Sequence, residues 1–261
     1  MNSELSYASQ PASAEPEPAP QNHISRLVGV WFSPGETFAE IGRAPRVLIP
    51  TLILIILGGL GAYLVTERIG YENIVRKQME SMVRAGWIPE DKVEEAIQQS
   101  LTPTKVAMGK IQSGAGGAIG ILVMLLVLAG LFKGFSLIMG TENTFKQVFS
   151  VTVYAYLAIS LIATVVLLLS IYLKDPSEID LYNPVGSNLG AVLPMMFDGL
   201  SKFVLGLASF IDIFGIWRIA LLAIGYAAVT RKMKIGTAAG FLIVLYVIGA
   251  FIGASLASMF G

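Results

Sequence analysis

Few side chains in this chain can do chemistry, and three of them stand in or beside apolar runs: Asp212, Arg218 and Lys133. An ionisable group in hydrocarbon is costly, so its presence marks an ion path, a head-group contact or a helix-end bond. Asp212 and Arg218 are six residues apart. That is about 600° of helix rotation, so they face different ways and do not pair within one helix. Asp212 opens an apolar run, where a carboxylate caps a helix by accepting backbone N–H bonds, aided by the dipole. Arg218 lies about 9 Å further along; it either snorkels to a head group or meets a partner on another helix. Lys133, near the end of another run, suits an interface anchor. Trp217, with Tyr154, Tyr156, Tyr226 and Tyr246, suits an aromatic belt or packing role rather than a binding box.

Other chemistry is excluded. His23 is the one histidine and there is no cysteine, so a multi-His metal site, a zinc–thiolate site, an iron–sulfur cluster, a disulfide and a Cys nucleophile are ruled out. There is no Walker loop, dinucleotide fingerprint, nucleophile elbow or H-E-x-x-H. Gly58-Gly59-Leu60-Gly61 lies inside an apolar run and is not a phosphate cradle. No catalytic, cofactor-binding or metal-ligating set is expected, and the chain is read as non-enzymatic. A formal net charge of zero gives no sign of a nucleic-acid partner.

The elements that hold these residues are set by hydrophobicity. Apolar residues make up 54% and charged residues 14% of the 261 residues, with mean hydropathy +0.69. Soluble domains carry about 25% charge. This much apolar surface needs a bilayer around it. A hydrocarbon core of about 30 Å takes roughly 20 helical residues. Five runs qualify: 46–66, 116–139, 149–173, 210–229 and 236–259. Each must be helical, because unpaired backbone amides in hydrocarbon cost several kcal/mol. The fold expected is an all-α, polytopic membrane bundle of about five transmembrane helices spanning residues 23–261.

Residues 1–22 are rich in Pro, Ala and Glu and predict a disordered tail. Ile24, Leu27, Val28, Trp31 and Phe32 share one helical face. Ser33-Pro34-Gly35-Glu36 fits a capping box. Together they predict an amphipathic foot on the membrane, 24–42. Between the first two spans, 67–115 carries seven basic and seven acidic side chains. Its stripes Ile74/Val75/Met79/Met82/Val83 and Val93/Ile97/Leu101, broken at Gly86–Pro89, predict a helical hairpin outside the hydrocarbon. The connection 174–209 has turn chemistry at Tyr182-Asn183-Pro184. Its apolar part, 193–207, is interrupted by Asp198 and Lys202 and suits the interface. Arg26, Arg43 and Arg46, then Lys133 and Lys146, then Arg231, Lys232 and Lys234 fall on one side of a five-span topology. Positive charge favours the cytoplasm, so the N-terminus is expected inside and the C-terminus outside. In a bacterium this would be the plasma or inner membrane.

Small residues recur at four-residue spacing: Gly116/Gly120, Gly130/Gly134, Gly236/Gly240 and Gly249/Gly253/Ala257. Such ridges let helix backbones approach closely. Gly249 and Gly253 are the strongest candidates for a tight contact. Two functional classes lead, ahead of an enzyme acting on lipid, which lacks any placed nucleophile or metal ligand. One is a membrane scaffold that associates with itself or another membrane protein and touches the leaflet through its foot. The other is a small-solute or ion transporter using Arg218 and Asp212, with Lys133 at its inner mouth.

Two stretches are similar to a known family. Phe32-Ser33-Pro34-Gly35-Glu36-Thr37-Phe38, followed by Pro45 and Pro50, resembles the F-x-P-x-x-x-F lead-in of bacterial Yip1-domain proteins. Asp212-Ile213-Phe214-Gly215-Ile216-Trp217 resembles that family's D-x-F-x-x-W opening of its fourth helix. The resemblance covers roughly residues 24–260. It implies five spans with the N-terminus inside. Eukaryotic relatives are small membrane proteins of the early secretory pathway that associate with Rab GTPases and with one another. Bacterial members share no established activity.

Overall fold

Apolar segments with no water to bond must satisfy their backbone internally, and the described residues do so as helices, with no strand among them. The computed structural model describes residues 21–176, 179, 183–230 and 232–260. The tail expected over 1–22 falls almost wholly outside these, as do Glu178, Asp180, Tyr182 and Arg231.

Four helices are long and apolar enough to cross a bilayer: α3 (Leu48–Ile69), α6 (Pro103–Ile138), α7 (Phe145–Leu173) and α11 (Ile235–Phe260). A fifth apolar helix, α10 (Ile213–Val229), has 17 residues, about 25 Å. The protein is an all-α polytopic bundle. α6 begins at Pro103, because Thr102-Pro103 starts a helix and nothing breaks it before Ile138. The charged stretch 67–115 is therefore divided. α4 (Tyr71–Arg84) and α5 (Val93–Ser100) form the expected hairpin, closed by Val75 and Ile97 and bridged by Arg76 to Glu94 at 3.4 Å. The rest is the first turns of α6.

α3 and α6 pack antiparallel through small residues. Gly58, Ala62 and Thr66 on α3 meet Gly117 and Ser113 on α6. A Cβ on Gly117 would stand 2.5 Å from the Gly58 oxygen and 2.7 Å from the Ala62 Cβ. Thr66 and Ser113 share a hydroxyl bond of 2.6 Å, and Ser113 donates to the Ala62 oxygen at 3.2 Å. None of the four expected glycine ridges makes this contact. Gly116, Gly120, Gly130, Gly134, Gly236, Gly240 and Gly249 have open space where a Cβ would be. Gly253 alone packs tightly, against the Phe210 ring at 2.7 Å.

α7 is a ruler for the bundle. Ser150 donates to the Arg46 oxygen near one end, and Arg68 donates to the Ile171 oxygen near the other. The interval from 150 to 171 is about 31 Å of helix, the thickness of a hydrocarbon core. The links carrying Arg46 and Lys232, and Lys146 in the first turn of α7, lie at the first end, called here the basic end.

The foot is two helices, α1 (His23–Phe32) and α2 (Pro34–Arg43), and they form a hairpin docked into the bundle at the basic end. Gln147 donates to the Gly42 oxygen at 2.9 Å, and Trp31 donates to the Ala158 oxygen at 3.2 Å. The turn at Ser33 thus reaches the level of Ala158, about 12 Å beyond Ser150. The faces of α1 confirm the setting. Its apolar residues Ile24 and Phe32 point outward, 76% and 80% exposed, while Arg26 and Val30 are fully buried. That arrangement suits hydrocarbon outside and would be wrong for water. The capping box expected at Ser33–Glu36 is absent. Ser33 closes α1 by donating its N–H to the Gly29 oxygen, so Glu36 finds no free amide to cap. The box forms instead at Thr144–Gln147, the start of α7.

The core is densest at the basic end. Residues 148–159 of α7 are all buried, enclosed by α1, α2, α6 and α10, with Tyr154, Tyr226, Phe132, Phe38 and Ile41 at the centre.

Candidate functional site

The short α10 carries Trp217 and Arg218 and is capped by Asp212, three of the residues expected to matter. Asp212 has extended backbone at its N-cap and accepts the Gly215 N–H at 3.0 Å through Oδ2. Its Oδ1 accepts the Ser187 hydroxyl at 2.7 Å. An isolated bridge pairs Asn188 with Asp212. Asn188 donates to Asn183 Oδ1 at 2.7 Å, which also accepts the Gly186 N–H. Asp212 therefore ties the connecting segment before α8 (Leu189–Val192) to the start of α10, and both carboxylate oxygens are engaged.

Arg218 does not meet Asp212. Its guanidinium lies over the Tyr156 ring on α7, 4.5 Å from the centroid. Its Nε is buried and has no hydrogen-bond partner. The ring quadrupole attracts the cation without an acid. Measured along α7, Tyr156 is about 9 Å beyond Ser150, so Arg218 sits nearer the basic end than its sequence position suggests. The reason is that α10 starts below the far end of the bundle. α9 (Lys202–Ser209) crosses α11 above it, with Gly206 against Ala254 and Tyr246 Oη donating to the Phe210 oxygen. Trp217 is on the outward side of α10, 36% exposed.

Lys133 lies at the basic end of α6 and donates to the Asn143 carbonyl at 2.5 Å and to its side-chain oxygen at 3.0 Å. Asn143 in turn donates to Thr230 Oγ1, the C-cap of α10, at 3.1 Å. One lysine thereby fastens the α6–α7 link to α10. Asp212, Arg218 and Lys133 occupy three separate places; the fold does not bring them into one cavity.

A fourth polar cluster was not legible from the sequence. Arg26 donates to Glu40 Oε1 at 2.8 Å and to the Ala44 oxygen at 2.7 Å, with the Tyr154 ring 5.7 Å away. His23 Nδ1 is 2.6 Å from the Tyr154 hydroxyl and its ring stacks on Tyr154. Burial, then the Arg26 and Arg46 cations, push the His23 pKa below its ordinary value. Arg26 Nε and Nη1 and Glu40 Oε2 are buried without partners. Arg26 and Glu40 are fourteen residues apart in different helices, so only the turn of the hairpin joins them.

No group of three or more His, Cys, Asp or Glu able to hold a metal occurs among the described residues.

The hairpin with Pro34 at its turn, and α10 opened by Asp212, give geometry to the two resembling stretches. A family model, the Yip1 domain, matches residues 28–258. The chain belongs to the Yip1-domain family. No curated protein and no solved structure matches it significantly. The Yip1 domain runs from within α1 to near the end of α11, so it takes in the second half of α1, all of α2, the α4–α5 hairpin and the five apolar helices but for the last turn of α11. The protein is thus a multi-pass membrane protein in contact with the bilayer.

Proposed function

We propose that this Yip1-domain protein is a non-enzymatic membrane scaffold. It associates with copies of itself or with another membrane protein, and its α1–α2 hairpin occupies the leaflet at the basic end. One contrast carries the reading. Asp212, Lys133 and Arg26 are bonded to other parts of the bundle, while the small residues Gly116/Gly120, Gly130/Gly134 and Gly236/Gly240 open outward with nothing against them. Buried charge here supports the bundle's own shape. Small residues on an outward face let another helix approach closely. The basic end is read as cytoplasmic from its Arg and Lys content, which places the N-terminus inside and the C-terminus outside.

The chain has no cysteine, so single cysteines introduced at Gly120 or Gly240 are clean probes. Cross-linked dimers are expected in vesicles. Vesicles holding the protein should be as tight to ions and small solutes as empty ones. Flux that disappears in Arg218→Ala would overturn the scaffold. Arg218 is the feature that supports the transporter alternative, since its Nε is buried and unpartnered; Asp212, with both oxygens engaged, supports it less.

A further inference from the structure

We infer that a groove between α3 and α7 holds one acyl chain of a phospholipid from the leaflet opposite the basic end. Two cavities of about 280 Å³ and 410 Å³ share Leu57, Gly58, Leu167 and Pro184, and so form one groove. Its wall is mostly apolar and carries no charged side chain, from Leu54 and Ala163 at the deep end to Val65 at the mouth, with the hydroxyls of Ser160, Thr164, Thr66 and Ser113 as its polar groups. Three observations identify the occupant.

The first is medium. Every helical wall of the groove belongs to a helix long and apolar enough to span a bilayer, so what fills it comes from the membrane. With no charged group and few hydroxyls on its wall, the slot favours an apolar occupant over a free polar solute.

The second is length. Leu54 to Thr66 is twelve residues, about 18 Å of helix. Half of a hydrocarbon core is about 15 Å. The groove runs from near the bundle's middle to the level of Arg68, which is the reach of one acyl chain in one leaflet.

The third is charge at the mouth. Arg68 stands two residues beyond Thr66 and donates to the Ile171 and Lys174 oxygens. Lys174 Nζ lies 3.8 Å from the Cβ position of Gly186, beside Val185 and Pro184, which line the groove. Two cations therefore flank the point where a chain would join its phosphate. They suit an anionic head group, and phosphatidylglycerol is the probe of choice.

The full-length protein is reconstituted with phosphatidylglycerol carrying a photoreactive group at the end of one acyl chain. Labelling is expected to concentrate in peptides containing 54–66 and 160–167. Ala163→Phe fills the groove and should cut that labelling at least about fivefold. Val165→Phe, on the lipid-facing side of the same helix, should leave it unchanged. Leu167→Phe is a second filling variant, used if Ala163→Phe does not fold, and should act as Ala163→Phe does. Lys174→Gln should reduce the preference for phosphatidylglycerol over phosphatidylcholine. Labelling spread evenly around the bundle, or unaltered by both filling variants, overturns the inference. Equal labelling by the two lipids in the wild-type protein overturns the head-group assignment and with it the anionic lipid.

Discussion

Arg26, fully buried, reaches across the α1–α2 turn to Glu40 at 2.8 Å and holds the docked hairpin closed. Removing one partner of such a pair leaves an uncompensated charge and costs about 3–5 kcal/mol. Glu40→Ala is expected to lower thermal stability in detergent by an amount in that range. Replacing both partners by apolar residues, Arg26→Met with Glu40→Leu, should recover most of the loss, because the hairpin then buries no charge. A double variant as unstable as the single one would show that the pair does more than neutralise itself.

The α3–α6 crossing is tightest where Gly117 lacks a side chain. A Cβ on Gly117 would press on the Gly58 oxygen and the Ala62 methyl. Neither is the loose end of a flexible chain, so the helices must move apart. Overpacking of this kind costs about 1–3 kcal/mol. Gly117→Ala is expected to destabilise by that amount in denaturant titrations. Its neighbour Gly116 meets nothing, and Gly116→Ala should stay within about 0.5 kcal/mol of the parent. Equal effects at the two positions would remove the crossing as the cause.

The long apolar helices were legible because their hydrophobicity alone decides them. The faces of those helices were not. In hydrocarbon, outward positions are as apolar as inward ones, so periodicity no longer tells core from surface. Glycine spacing pointed to Gly249 and Gly253; Gly253 does meet Phe210, but Gly58 and Gly117 make the tight α3–α6 crossing, the latter in register with Ser113 rather than Gly116. The same loss of contrast hid the hairpin. Of the stripe Ile24, Leu27, Val28, Trp31 and Phe32, only Leu27 and Trp31 pack against the core; Ile24, Val28 and Phe32 face outward, and the fully buried residues are Arg26 and Val30. Asp212 was legible, since an N-cap is a local bond between residues three apart. The Arg26–Glu40 pair and the Arg218–Tyr156 contact join distant segments, and no local pattern encodes them.

His23 should make the hairpin sensitive to acid. Its pKa is lowered in the folded protein by burial and by Arg26 and Arg46. The unfolded chain, with an ordinary value of 6.5, binds the proton more readily. Stability from this group is therefore complete above about pH 6.5. It falls as pH drops from there through the lowered folded value, and then levels off. Melting temperature measured in detergent from pH 7.5 down to 5 is expected to decline. His23→Gln should flatten that decline, because the glutamine has no proton to gain. An identical slope in both proteins would assign the acid sensitivity to other groups.

Arg218 and Tyr156 give the last test, since a half-buried cation in an apolar bundle needs a reason to stay. A buried guanidinium nitrogen without a partner costs about 1–3 kcal/mol. A desolvated cation–ring contact returns about 2 kcal/mol. These nearly cancel, so Arg218→Met is expected to change stability little. The contact itself is measured by a cycle with Tyr156→Leu, which cancels the packing loss of each single change. A coupling of about 1–2 kcal/mol is expected between Arg218 and Tyr156. Tyr156→Phe, which keeps the ring, should preserve it. A coupling near zero would mean that the ring does not hold the cation. The unpartnered Nε would then point to something outside the described chain, and the transporter reading would gain what the scaffold reading lost.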